Sequence, residues 1–237
     1  MELVNALAAN ADTEAATTLQ RLTPESLAAA RVDVGRPGYD RTLLLGGIVH
    51  LGIGAFVRAH LAAVNEEAIG AACDLRFGII GVSMRSADTR DALVPQSGLY
   101  TLALRDATAD GHARERLRVI GNLIGVMVAP DDPDAVVERI AHAHTRIVSL
   151  TVTEKGYCHD PASGTLRIAQ ADVAHDLVHA ASPRSAIGML VRGLARRRRY
   201  RRGAVTLMSL DNLPSNGDLL RALVLDFASH VDAELCT

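Results

Sequence analysis

The sequence predicts an α/β fold, a mostly parallel sheet flanked by helices, on three observations. Short aliphatic runs alternate with helical stretches of about ten to fifteen residues, which is the rhythm of βαβ units. The first strong run passes through Gly52-Ile53-Gly54 directly into a helical pattern. Hydrophobic residues make up 49% of the 237-residue chain and aromatic ones only 3%, so aliphatic side chains must fill the core.

Each element follows from local signals. Thr23 before Pro24 marks a short helix start, which Gly35, Pro37 and Gly38 then break. Residues 1–40 therefore read as a peripheral segment, and 41–237 as one domain. Leu43–Leu45 with Ile48–Leu51 reads as a buried strand interrupted by Gly46 and Gly47, followed by one helix over 56–69. A second strand is expected at 77–82, an extended segment at 99–104, and one or two strands within 117–128. Asp131, Asp132 and Asp134 around Pro133 announce a helix over 135–143, with Val136, Val137 and Ile140 on one face. The run 147–152 is the cleanest buried strand, and 204–209 is another that ends in the turn Asp211-Asn212-Leu213-Pro214. Helices are expected over 170–178, 183–198 and 217–231.

Composition excludes several classes of function. Twenty-five basic against 27 acidic residues give a net charge of -2, which offers no general attraction to nucleic acid or to an anionic membrane. The basic run Arg196-Arg197-Arg198-Arg199-Tyr200-Arg201-Arg202 falls at a helix end and reads as a solvated terminus meeting the favourable end of the helix dipole. Cys73, Cys158 and Cys236 are too scattered for a disulfide framework or a metal knuckle and read as buried free thiols. The start of the chain lacks the pattern of a secretory signal, no apolar run is long enough to span a bilayer, and the cytoplasm is the expected location. His50 and His60 have no acid or cysteine to complete a metal set and are expected in core or supporting roles.

A strand that feeds Gly-x-Gly and then a helix can set a pyrophosphate against free backbone N–H groups. Gly52 would make the tight turn and Gly54 would admit the phosphates, while Val57 occupies the place of the usual third glycine. An ordinary turn is the alternative, and Arg58 either reaches phosphate or stays solvated.

The stretch GIVHLGIGAFVRAH resembles the nucleotide-binding segment of the mannitol dehydrogenase/fructuronate reductase family, the long-chain polyol and sugar-acid dehydrogenases. Four further stretches agree in order: Gln96–Thr101, Ser149–Tyr157, Ser185-Ala186-x-Gly188 and Ser209–Gly217. The resemblance implies a Rossmann-like domain that binds NAD, with NADP as the alternative. Gly52, Ile53, Gly54, Ala55 and Phe56 would line the dinucleotide turn with Arg58 nearby, although the family often has glycine at Ala55 and histidine at Val57. Asp88 is a candidate for the adenosine ribose, whereas Arg85 and Ser86 would favour a 2′-phosphate. Thr153, Glu154 and Lys155 would lie beside the nicotinamide. Lys155 is expected at the cofactor edge rather than as general base, because the family's proton acceptor is a lysine of a helical C-terminal domain that is absent from this sequence. Asn212 would donate to the substrate oxygen on which charge develops, and turn capping is its bland alternative. Tyr100 is either core packing or close to the cofactor.

The reaction implied is reversible hydride transfer between NAD(P) and a polyol or sugar acid, with no metal. A companion chain carrying the C-terminal half is a possible partner. Read this way the chain resembles a truncated or frameshifted product with weak or absent turnover. An isolated cofactor-binding module and a non-catalytic interaction fragment are the alternatives.

Overall fold

In the computed structural model, which describes residues 21–29 and 32–236, a five-stranded parallel sheet carries helices on both faces. A short helix α1 (Pro24–Leu27) precedes the sheet and is held by a capping box in which Thr23 and Ser26 exchange hydrogen bonds. Strand β1 (Ile48–Leu51) leads into α2 (Ala55–Ala59) and α3 (Leu61–Ala72), then β2 (Ile79–Ser83) and α4 (Asp88–Leu93). An antiparallel hairpin, β3 (Tyr100–Ala107) and β4 (Ala113–Ile120), stands outside the main sheet. After it come β5 (Leu123–Val128), α5 (Pro133–Ala141), β6 (Ile147–Leu150), α6 (Thr153–Gly156) and α7 (Ala171–Val178). The chain continues through α8 (Ala186–Arg199) and β7 (Thr206–Ser209) to α9 (Asn216–Val231).

The strand order is β5-β2-β1-β6-β7, so the chain moves outward in one direction from β1 and then returns to build the other side from β6. This is the Rossmann order, with its reversal between β1 and β6. Because helices cover both faces, the strands read as continuous apolar runs. Val49 and Leu51 of β1 pack in the larger core with Val148, Leu150, Ile187 and Phe227. Ile48 points the other way, into a smaller core with Ile79, Val57 and Leu123.

Several expectations are refined. The single helix over 56–69 is two, because His60 (φ -115°, ψ -74°) breaks the run between α2 and α3. Leu43 ends a 3₁₀ turn rather than starting a strand. The stretch 117–128 holds two strands that belong to different sheets, separated at Gly121 and Asn122. Cys158 is buried as expected, but Cys73 is exposed because it occupies the left-handed position (φ 52°) that ends α3; the Cys236 side chain lies outside the described residues.

The basic run departs from a purely solvated helix end. Arg197 is only 5% exposed and donates to the carbonyls of Ile140, His142 and Gly203, closing the C-terminal end of α5. Arg196 pairs with Asp134 and Glu138, and Arg202 pairs with Glu138.

Residues 1–20, 30 and 31 lie outside the described residues. Within the rest of the segment expected to be peripheral, Gly35 bridges to Arg118, and the Tyr39 hydroxyl donates to Glu66 Oε1 at 2.6 Å. Glu66 is buried, and its other oxygen accepts the N–H groups of Gly121 (2.8 Å) and Asn122 (2.9 Å). Replacing it strands three donors. Glu66→Ala is expected to cost at least about 3 kcal/mol in urea unfolding, whereas Glu67→Ala, which loses only a surface pair with Arg118, should stay within about 0.5 kcal/mol.

Candidate functional site

In open α/β sheets the ligand crevice lies beyond the carboxyl ends of the strands where their order reverses. Here that point is between β1 and β6, and a cleft of about 500 Å³ opens there. Gly52, Ile53 and Gly54 form its floor, Arg85 and Ser86 lie at the end of β2, and Thr153 and Lys155 come from the start of α6.

Gly52 is required by geometry. Its φ is +96°, and a Cβ there would sit 2.1 Å from the Thr151 carbonyl oxygen, so the turn passes against β6 only without a side chain. Gly54 (φ -91°) is constrained differently: its backbone suits any residue, and a Cβ would meet nothing closer than 3.9 Å. Its missing side chain leaves space in the cleft rather than relieving a clash. The N–H groups of Gly52 and Ile53 donate to Val82, and that of Gly54 donates to Gly52. The donors left at the helix start are therefore those of Ala55, Phe56 and Val57, which have no backbone acceptor among the described residues.

Behind the turn stands His50, fully buried on β1. Its Nδ1 lies 2.8 Å from Ser149 Oγ and its Nε2 lies 2.9 Å from Thr151 Oγ1. Thr151 spends its one hydroxyl proton on the Gly52 carbonyl, at 2.9 Å. It must therefore accept from His50 Nε2–H, which leaves Nδ1 to accept from Ser149. Burial holds the imidazole neutral by lowering its pKa to about 4.

The opposite wall is fixed by Asp211, which follows β7. Its carboxylate accepts the N–H groups of Val152 (3.0 Å) and Thr153 (3.1 Å) and the Tyr157 hydroxyl (2.9 Å). Burial raises the pKa of Tyr157, so it remains a donor. Thr153 is held at φ 62°, a conformation costly for a β-branched residue and maintained here by that clamp. Asp176, fully buried on α7, accepts the N–H groups of Arg184 and Ser185 and the Ser185 hydroxyl, presenting the start of α8 to the cleft.

The other expected residues are placed unevenly. Phe56 is half exposed beside His60, with ring centroids 4.6 Å apart. Arg58 folds back onto the Gly54 carbonyl at 3.2 Å, and the Tyr100 hydroxyl donates to the Arg58 carbonyl. Glu154 lines an adjoining recess with His159 and Arg167 rather than the main cleft. Asp88 and Asn212 are exposed and do not line the cleft. Residues the sequence did not single out, Gln170, Asp172 and Arg184, do line it. Among the described residues no group of three or more His, Cys, Asp or Glu could hold a metal ion, and no helix is long and apolar enough to cross a membrane.

The neutral His50 has a pH consequence. Its folded pKa lies below the usual 6.5, so the unfolded chain takes up the proton first as pH falls. Stability is full above about pH 6.5 and declines toward pH 4, by up to about 3 kcal/mol from this group alone. Urea midpoints measured from pH 7.5 to 4.5 should show that slope, and His50→Gln should flatten it while lowering stability at pH 7.5.

Residues 46–237 match the family model described as the mannitol dehydrogenase Rossmann domain. The chain is 40% identical to mannitol 2-dehydrogenase of Pyrenophora tritici-repentis over 200 residues, covering 84% of this chain and 34% of that relative. It is 37% identical to D-mannonate oxidoreductase of Escherichia coli over 210 residues, covering 87% of this chain and 42% of the relative. Among solved structures it superposes on the ternary complex of Pseudomonas fluorescens mannitol 2-dehydrogenase with NAD and D-mannitol, with a TM-score of 0.85 and 36% identity over 92% of this chain and 44% of the other. A D-sorbitol dehydrogenase in substrate-free form gives a TM-score of 0.82 at 34% identity, over 91% of this chain and 44% of the other. The chain thus spans less than half the length of these relatives. The strand order, the glycine turn at its reversal and these matches together place the chain in the mannitol dehydrogenase family, whose Rossmann domain it contains.

Proposed function

We propose that this chain is the dinucleotide-binding part of an NAD(P)-dependent dehydrogenase that acts on a CH–OH group of a polyol or sugar acid. The observation that carries the reading is the cleft at the β1/β6 reversal, floored by Gly52 and Gly54. The pyrophosphate would lie over Gly54 against the N–H groups of Ala55 and Phe56, with the nicotinamide beside Thr153 and Lys155. When bound, the cofactor would supply a hydride acceptor for the carbinol carbon of the substrate. This chain's own residues would hold the ring, through Thr153 and its Asp211 clamp, and Asn212, exposed on the turn after β7 and outside the cleft lining, would donate to the substrate oxygen. The base for the hydroxyl proton comes from a C-terminal half, in a longer or a companion chain. On this reading the protein is cytoplasmic.

The space at Gly54 provides the test. Isothermal titration of the chain with NAD and NADP should give micromolar binding of at least one of them. Gly54→Val, which the backbone tolerates, should weaken it by about tenfold or more with the fold intact. The chain alone should give no absorbance change at 340 nm with mannitol, fructose or fructuronate. Absence of binding by either dinucleotide would sink the reading, and turnover by the chain alone would overturn the need for a second half.

A further inference from the structure

His175 and His179 stand four residues apart at the end of α7, and the His179 N–H still donates to the His175 carbonyl. The helical spacing therefore holds as far as His179, and both side chains rise from one face. Their ring centroids lie 4.5 Å apart, with the planes tilted by 37°. Two imidazoles so placed offer one ion a pair of ligands, since nitrogens each about 2.0–2.1 Å from a metal are about 3 Å from one another.

A second observation comes from behind the pair. Asp176 is fully buried, and its carboxylate accepts the N–H groups of Arg184 (2.7 Å) and Ser185 (2.8 Å) and the Ser185 hydroxyl (2.6 Å). His175 Nδ1 lies 3.1 Å from Asp176 Oδ1 and donates to it. The ring proton is thereby fixed on Nδ1, which leaves a lone pair on Nε2, an atom with no partner among the described residues. A carboxylate that orients an imidazole and raises its basicity is the usual support of a metal-bound histidine. His179 is exposed, and its ring makes no hydrogen bond or ion pair among the described residues, so it is free to turn toward the same ion.

The charges around the pair are Asp172 and Asp176 on α7 against Arg184 and Arg192, and Arg192 is turned onto the Asp176 backbone carbonyl at 3.1 Å. The pair His142 and His144, with centroids 5.0 Å apart, is placed less well. His142 Nδ1 is occupied by the His144 N–H at 3.2 Å, and burial with the charges of Arg139, His144 and Arg202 lowers the His142 pKa. Those same arginines would repel a cation.

We propose that His175 and His179 together bind a late first-row divalent ion, copper(II) most tightly, with water completing its coordination. Two protein ligands make this an exchangeable site rather than a closed structural one. Neither histidine lines the cleft at the β1/β6 reversal.

The chain, first stripped with a chelator, is titrated with copper(II), nickel(II) and zinc(II) by calorimetry. Saturable binding of one ion is expected, tightest for copper(II), whose electron paramagnetic resonance spectrum should show coupling to two imidazole nitrogens. His175→Gln and His179→Gln should each weaken the tightest site by at least about tenfold, because the second ligand then no longer binds intramolecularly. His142→Gln should leave it unchanged. The His179 ring has no partner in the fold, so the circular dichroism of that variant should match the parent. Copper binding that survives His179→Gln, or that His142→Gln removes instead, would overturn the assignment, as would the absence of saturable binding.

Discussion

His50 links the two halves of the sheet at the point where they diverge. Beyond the ends of β1 and β6 the parallel ladder stops, and the two loops would otherwise be joined by little more than their own backbones. The imidazole braces the last rungs of that ladder, bonded to Ser149 within β6 and to Thr151 just beyond it, and Thr151 in turn holds the Gly52 carbonyl. Gly52 can approach Thr151 so closely only because it has no Cβ. One buried side chain and one absent side chain thus set the width of the crevice. The arrangement needs a neutral ring, since a charged imidazole in this site would lose its hydration without gaining a counter-ion in contact.

A recurrent device supports the loops at both ends of the sheet: a buried or half-buried charged side chain that gathers backbone groups no regular element satisfies. Glu66 collects the N–H groups of the link between β4 and β5, Asp176 those at the start of α8, and Asp211 those entering α6. Arg197 does the converse, donating to carbonyls at the end of α5 and in the loop before β7. Each sits where a loop must turn inside or beside an aliphatic core, and an unpaired amide or carbonyl there would be costly. Aromatic residues are too few to bridge such places, and Tyr39 and Tyr157 both serve as hydrogen-bond donors to these carboxylates.

The parallel strands and most of the helices were legible because apolar runs and capping residues are local signals. Asp132 caps α5 where the acids around Pro133 announce a helix, whereas Ser185 caps α8 two residues inside the span expected from 183. The split of α2 from α3 was not legible, since the residues around His60 keep a helical pattern through the break. Nor was the assignment of β4 and β5 to different sheets, because pairing is decided by distant segments. The glycine turn and the Thr153–Lys155 edge could be read from the sequence, but the Asp211 clamp, 58 residues from Thr153, had no local mark beyond a turn. The basic run misled for the same reason: four arginines in succession look alike until the fold buries Arg197 and leaves its neighbours outside.

The same contrast separates what this chain holds ready from what it does not. The floor of the cleft is preorganised, with Gly52, Thr151 and Thr153 each fixed by hydrogen bonds to other elements. Lys155 and Arg184 reach the cleft with side chains that have no partner among the described residues, and Asn212 stands exposed on its turn. A hydride donor and acceptor must be aligned to within about half an ångström, and long unsupported side chains do not provide that. Cofactor affinity can therefore be built into this chain alone, because it depends on backbone and turn geometry already in place. On the proposed reading, hydride transfer would need further groups to pack against Lys155, Arg184 and Asn212 and remove their freedom, so cofactor binding can be measured apart from catalysis.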